Sequence, residues 1–287
     1  MIVFIVGGGR VGTALARVFD RRQILCFVVR ANSFDAKHKI SDPKELADHY
    51  VSSVNEILIK SGFNDRVLVI NTVAYTDVEG CQINPDLAYS INTKFPYLLY
   101  SRLTNIQSFS WHFINLSTDM MFNSGLGLSA SEDSIPGPVN VYAKSKFLGD
   151  SLLVGLSGVS VVRGNFLFRS KSLGLCSFLE YLERSDSLAF TSCVFSPATI
   201  DFAASVLLRL YEETRFGLFH VCSSPIEKSE FVTSYLEYVG RDVDALTIKV
   251  QDPTAQSLVR PRNMSLCSRF EWCFDDRPLS IQLGEVE

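Results

Sequence analysis

Ile2-Val3-Phe4-Ile5-Val6-Gly7-Gly8-Gly9-Arg10-Val11-Gly12 begins the chain and carries two signals at once. The first five of these residues form a continuous apolar run, rich in β-branched side chains, that suits a strand buried on both faces of a parallel sheet. Glycines follow at the G-x-G-x-x-G spacing, and Val11, Leu15, Val18 and Phe19 then recur at helical spacing. A strand that turns through glycines into a helix lets a pyrophosphate approach the helix N-terminus. Gly7, Gly9, Arg10, Val11 and Gly12 are therefore the expected dinucleotide-binding loop. An acidic residue about 20 positions further on would bind the ribose hydroxyls of NAD. This chain has Arg30 there instead. A guanidinium pairs with a 2'-phosphate, so NADPH is favoured, with Arg10 as helper and NADH still open.

Apolar runs at 24–29 and 67–70 read as further strands, 113–116, 160–162 and 219–222 are additional strand candidates, and helical patterns fit 86–103, 143–154, 200–211 and 228–239. Alternation of this kind predicts an α/β fold, a doubly wound and mostly parallel Rossmann sheet. Beyond about residue 165 the regular pattern weakens and prolines punctuate shorter elements. The expected division is a cofactor-binding domain at 1–165 and a smaller substrate lobe at 166–287, with segments near 194–222 returning to the first. The Ser/Gly/Pro-rich stretch 123–138 reads as a lid or active-site loop.

Composition excludes several functions. At 287 residues, with 47% hydrophobic and 20% charged residues, the chain can bury a substantial core and is not disordered. Its net charge is −4 and no segment gathers basic residues into a stripe, so no nucleic-acid partner is expected. Seven cysteines, scattered and without a C-x-x-C pair, read as reduced side chains of a cytoplasmic protein. The four histidines lack metal-ligand spacing, so no protein-built metal site is expected. No apolar run is long enough for a membrane span, and no signal peptide is recognisable.

Tyr142 and Lys146 form Y-x-x-x-K, which puts both on one helix face. A tyrosine titrates near 10, and a neighbouring ammonium favours the tyrosinate, so the pair suits acid–base work near neutrality. Ser117-Thr118-Asp119 directly follows the 113–116 strand, where doubly wound folds bind ligands at strand C-terminal ends.

Further stretches accompany these motifs: Asn71-Thr72-Val73-Ala74-Tyr75-Thr76-Asp77-Val78-Glu79, Ala88-Tyr89-Ser90-Ile91-Asn92, Ser117-Thr118-Asp119-Met120-Met121-Phe122, Asn140-Val141-Tyr142-Ala143-Lys144-Ser145-Lys146 and Arg260-Pro261-Arg262-Asn263. In this order, and over nearly the whole chain, they resemble the extended short-chain dehydrogenase/reductases and, within them, the dTDP-4-dehydrorhamnose reductase group of nucleotide-sugar reductases. The resemblance implies NAD(P)H-dependent reduction of a keto group on a nucleotide-activated sugar. It implies Thr118, Tyr142 and Lys146 as catalytic residues, with Asn92 as a helper. Asn71, Val73, Ala74, Tyr142 and Lys146 join the glycine loop and Arg30 in cofactor binding. Tyr75, Thr118, Met120, Phe166 and Arg262 would meet the substrate, and the resemblance leaves a homodimer open.

The chain departs from the group's pattern at three points. Val6 stands at the first glycine of its G-x-x-G-x-x-G loop, although Gly7 restores a G-x-G-x-x-G. Met120 replaces the tyrosine of S-T-D-Y, and Phe166 replaces a tryptophan. A dehydratase would need a carboxylic acid where Met120 sits, which disfavours that chemistry. The alternatives that stay open are an epimerase and a non-catalytic, nucleotide-binding regulatory subunit of the same fold. Retention of Thr118, Tyr142 and Lys146 together favours turnover.

Overall fold

The computed structural model describes residues 1–31, 42–63, 65–106, 108–124, 127–169, 178–182, 188–191, 193–241, 247–250 and 260–286. His38, Cys176, Pro253 and part of the expected lid lie outside the described residues. In chain order the elements are β1 (Ile2–Val6), α1 (Arg10–Arg21), β2 (Cys26–Val29), α2 (Pro43–Ser61), β3 (Val67–Asn71), α3 (Val78–Ile83) and α4 (Pro85–Tyr89). A π turn (Ser90–Lys94), α5 (Phe95–Thr104), β4 (Trp111–Leu116), α6 (Val141–Leu153), β5 (Val159–Leu167), α7 (Phe178–Leu182) and β6 (Leu188–Thr191) follow. The chain continues through β7 (Val194–Phe195), β8 (Pro197–Thr199), α8 (Ile200–Glu212), β9 (Gly217–Ser223), β10 (Ile226–Glu227), α9 (Lys228–Tyr238), β11 (Thr247–Val250), β12 (Phe274–Asp275) and α10 (Leu279–Gly284).

The central sheet runs β12-β9-β5-β4-β3-β1-β2, with β8 joined to β5. β1 pairs in parallel with β2 on one side and β3 on the other, in the registers Val6↔Val29 and Val6↔Asn71. β3, β4 and β5 continue in parallel. The chain therefore winds one way from β1 to β2 and the other way from β3 to β5. This reversal leaves a crevice at the C-terminal ends of β1 and β3. Every residue of β1, β3 and β4 is buried, which is why β1 and most of β3 read as apolar runs, while β4 also buries His112 and Asn115.

Two compact units result, Met1–Ser117 with Val141–Val162 and Leu207–Leu218, and Thr118–Asn140 with Arg163–Val206 and Phe219–Glu287. This division differs from the 1–165 and 166–287 split mainly in where 118–140 belongs. Backbone bonds tie that segment to the C-terminal region: Ala130 N–H donates to Ser265 O (2.9 Å), Cys267 N–H to Ala130 O (3.0 Å) and Ser124 N–H to Asn263 O (3.1 Å). Glu132, buried, accepts from His220 N–H (3.0 Å), Arg269 N–H (3.0 Å) and Ser268 Oγ (2.6 Å). The described part of 123–138 is thus a loop hydrogen-bonded to the C-terminal region.

The first unit's core packs Phe4, Val6, Val69, Phe95, Leu99 and Phe113 with α2 residues Leu46, Tyr50 and Val54. The second unit's core packs Phe195, Phe231, Tyr235, Leu236 and Leu283. No cysteine among the described ones forms a disulfide. No helix among the described residues is long and apolar enough to cross a membrane.

Candidate active site

The loop after β1 is shaped by what a side chain would strike. Gly7 has φ +108°, and a Cβ there would lie 2.7 Å from Thr72 Oγ1 and 2.9 Å from Val73 Cγ2. The Thr72 hydroxyl reaches the carbonyls of Val6 (3.0 Å) and Gly7 (3.1 Å), joining the end of β3 to the loop. A Cβ on Gly12 would collide with the Gly7 carbonyl, so only glycine lets α1 start this close to β1. Gly9 is the N-cap of α1 and supplies no side-chain cap, and a Cβ there would meet nothing within 4 Å. A helix N-terminus with no side-chain cap from Gly9, and with room beside that glycine, fits an anion such as a pyrophosphate. Arg30, just past β2, lays its side chain across Gly8, while its carbonyl contacts His49 Nε2 at 3.1 Å. A cation is thus held beside the same loop. Asn71 donates to Asn115 Oδ1 (2.8 Å) and accepts from Val73 N–H (3.1 Å), which fixes the turn out of β3.

Tyr142 and Lys146 lie on the buried face of α6, with Ser145, Gly149 and Asp150. Lys146 is only 4% exposed, and its Nζ donates to the Leu116 carbonyl (2.8 Å) at the end of β4. Burial pushes the Lys146 ammonium down from its ordinary range, and the Asp150 carboxylate pulls it back up. Asn92 clamps α6 to the segment after β3. It donates to Ser145 Oγ (3.0 Å) and Tyr75 O (3.0 Å) and accepts from Tyr75 N–H (2.8 Å). The helper expected at Asn92 and the substrate contact expected at Tyr75 are thus joined in one scaffold. Gly149 sits so close to the Asn92 carbonyl that a Cβ would overlap it.

The first unit therefore gathers Gly7, Gly9, Gly12, Arg30, Asn71 and Val73 at the ends of β1, β2 and β3, and places Tyr142 and Lys146 against the end of neighbouring β4. Thr118, Met120, Phe166 and Arg262 belong to the second unit. There the Thr118 hydroxyl donates to Asp119 Oδ1 (3.2 Å) and accepts from Met120 N–H (3.2 Å). Asn165 Nδ2 donates to Asp119 Oδ2 (3.1 Å). Burial raises the Asp119 carboxyl to about 6, against the Asn165 bond and the Lys228 charge. Met120 packs against the second core, and Arg262 binds Asn123 Oδ1 through its backbone N–H (3.1 Å).

Residues 1–275 match the family described as the RmlD substrate binding domain. The chain belongs to this family. A relative in Haloferax volcanii, named probable low-salt glycan biosynthesis reductase Agl14, is 30% identical over 214 residues, covering 70% of this chain and 69% of that protein. A dTDP-4-dehydrorhamnose reductase of Aggregatibacter actinomycetemcomitans is 26% identical over 168 residues, 55% of this chain and 56% of that one. Among solved structures, a Bacillus anthracis dTDP-4-dehydrorhamnose reductase in complex with NADP aligns with a TM-score of 0.79 at 19% identity, covering 99% of this chain and 97% of that one.

In this RmlD-family chain, sequence reasoning missed Asp119 and Asn165 as partners that fix Thr118, and Ser117 and Asp150 as neighbours of Lys146. Asp150 was findable, because it continues the Tyr142–Lys146 spacing by one further turn of the same face. Asn165 was not, because only the fold brings it to Asp119.

Proposed function

We propose that this chain uses NADPH to reduce a keto group on a nucleotide-activated sugar, with dTDP-4-dehydrorhamnose the first substrate to test. The observation that carries this reading is the buried Tyr142–Lys146 face of α6, latched by Lys146 Nζ to the end of β4. It lies in the same unit as a glycine loop that fits a pyrophosphate. The reductase names of the relatives at 30% and 26% identity support the same chemistry.

When bound, the cofactor supplies a hydride to the ketone carbon. Tyr142 gives its phenolic proton to the alkoxide oxygen that develops there. Lys146 lowers the cost of the tyrosinate left behind, and its ammonium would also hold the nicotinamide ribose. Thr118 donates a hydrogen bond to the carbonyl oxygen. In this structure the Thr118 hydroxyl lies 3.2 Å from Asp119 Oδ1, a bond it would exchange for the one to the carbonyl. Arg30 would pair with the 2'-phosphate and so set the preference over NADH. Tyr75, Met120, Phe166 and Arg262 form the proposed sugar-nucleotide contacts.

The test is oxidation of NADPH and NADH over a panel of 4-keto nucleotide sugars. Multiple turnovers with at least one sugar, faster with NADPH, support the reading. Cofactor binding without turnover on any sugar would favour the regulatory alternative.

A further inference from the structure

The charged group nearest in sequence to the Tyr142–Lys146 pair on the buried face of α6 takes no direct part in the proton transfer from Tyr142. Asp150 lies one turn beyond Lys146 and is fully buried at 0% exposure. Its Oδ2 accepts a hydrogen bond from Ser117 Oγ (2.9 Å), and Ser117 N–H is itself held by Val162 O (2.7 Å) on β5. Lys146 Nζ is anchored on Leu116 O, the residue just before Ser117. Ammonium and carboxylate are therefore pinned to two consecutive residues at the end of one buried strand. Carboxylates of this kind are almost never buried without a partner, because an uncompensated charge in the interior is costly. The elements packed on α6 carry further ionisable groups: Glu79 and Cys81 on α3, Asp86 and Tyr89 on α4, Lys94 in the π turn, and Tyr97, Tyr100 and Arg102 on α5. The Asp150 carboxylate, one turn along the same buried face of α6, opposes the effect of burial on Lys146.

We propose that Asp150, oriented by Ser117, is a positioning residue that keeps Lys146 charged in its buried setting and so keeps Tyr142 competent as the proton donor. The inference rests on the reductase reading for Tyr142, but its electrostatic part concerns this chain alone. Removing one negative charge while keeping shape and the Ser117 bond favours the deprotonated forms of both Lys146 and Tyr142. Asp150→Gln would alter size, so Asp150→Asn is the informative change.

The experiment is an NMR titration of the protein carrying lysine labelled with ¹³C at Cε, without cofactor, with the Lys146 signal assigned through Lys146→Met. In Asp150→Asn the Lys146 midpoint should fall by about one pH unit or more, the size expected for loss of a close opposite charge. Asp150→Glu, which keeps the charge, should restore it towards wild type. In turnover the alkaline limb of the kcat profile should move the same way, with the acid side unchanged. An Asp150→Asn protein whose Lys146 midpoint stays at the wild-type value overturns the proposal, even if activity falls. A shifted midpoint in a protein that reduces no keto sugar would uphold the pairing and count against the reductase reading instead. Should Asp150→Asn fail to fold, Asp150→Asn/Lys146→Met decides. Folding of the double variant supports a pair whose remaining charge was intolerable, and its failure contradicts it.

Discussion

A single oxygen separates tyrosine from phenylalanine, and at position 142 that oxygen is the proposed proton donor. Tyr142 is 8% exposed, so Tyr142→Phe leaves the packed ring in place. Loss of a general acid typically costs ~100- to 10,000-fold, and kcat should fall in that range with NADPH affinity little changed. Steady-state kinetics beside a fluorescence titration of NADPH checks both halves. Arg30 poses a matching question for the cofactor, since its side chain already lies across Gly8. A charge-assisted contact is worth about 1.5–3 kcal/mol, so Arg30→Asp should weaken NADPH roughly 10- to 100-fold and leave NADH nearly as before. Equal losses for both nucleotides would remove Arg30 from the 2'-phosphate.

At the scale of elements, the decisive junction is α6 against the π turn. The 86–103 stretch reads as one helix because its apolar spacing is continuous, and the structure keeps α4, the π turn and α5 contiguous but opens one turn to π geometry at Ser90–Lys94. The extra residue of a π turn lets Asn92 bond Tyr75 and Ser145, and no periodicity reports a side chain's bonding partners. Gly149 records the same closeness. Alanine is the better helix former by about 1 kcal/mol, but a Cβ at 149 overlaps the Asn92 carbonyl, and forced overpacking costs about 1–3 kcal/mol. Gly149→Ala should therefore lower the melting temperature rather than raise it, as differential scanning calorimetry would reveal. β1 and β3 were legible because burial on both faces leaves a nearly unbroken apolar run. β7, β8, β10 and β12 were not, since each has only two or three residues and no period to detect. The glycine loop and Y-x-x-x-K were legible because their chemistry depends on local spacing, whereas Asp119–Asn165 and Ser117–Asp150 depend on tertiary contacts.

For the whole molecule, two buried histidines contribute to the response to acid. His112 in the first unit and His220 in the second are both at 0% exposure, and burial pushes each down to about 4. His112 bonds Ser160 Oγ (2.8 Å) through Nε2, and its Nδ1 has no hydrogen-bond partner among the described residues. Above pH 6.5 both folded and unfolded histidines are neutral and stability is unaffected. Between 6.5 and about 4 the unfolded chain takes up protons that the folded one refuses, so stability falls by up to about 1.4 kcal/mol per pH unit for each histidine. Urea denaturation at a series of pH values should show this slope, shallower in His112→Gln. Identical slopes in both proteins would contradict it. The central claim is hydride transfer to a nucleotide-linked ketone, and isotope transfer tests it most directly. Incubation of the wild-type chain with 4-keto nucleotide sugars and NADPH deuterated at the transferring position of the nicotinamide C4 should yield an alcohol carrying one deuterium at the former ketone carbon, read by mass spectrometry and NMR. Recovery of the keto sugars unreduced, with the labelled NADPH bound but intact, would contradict it.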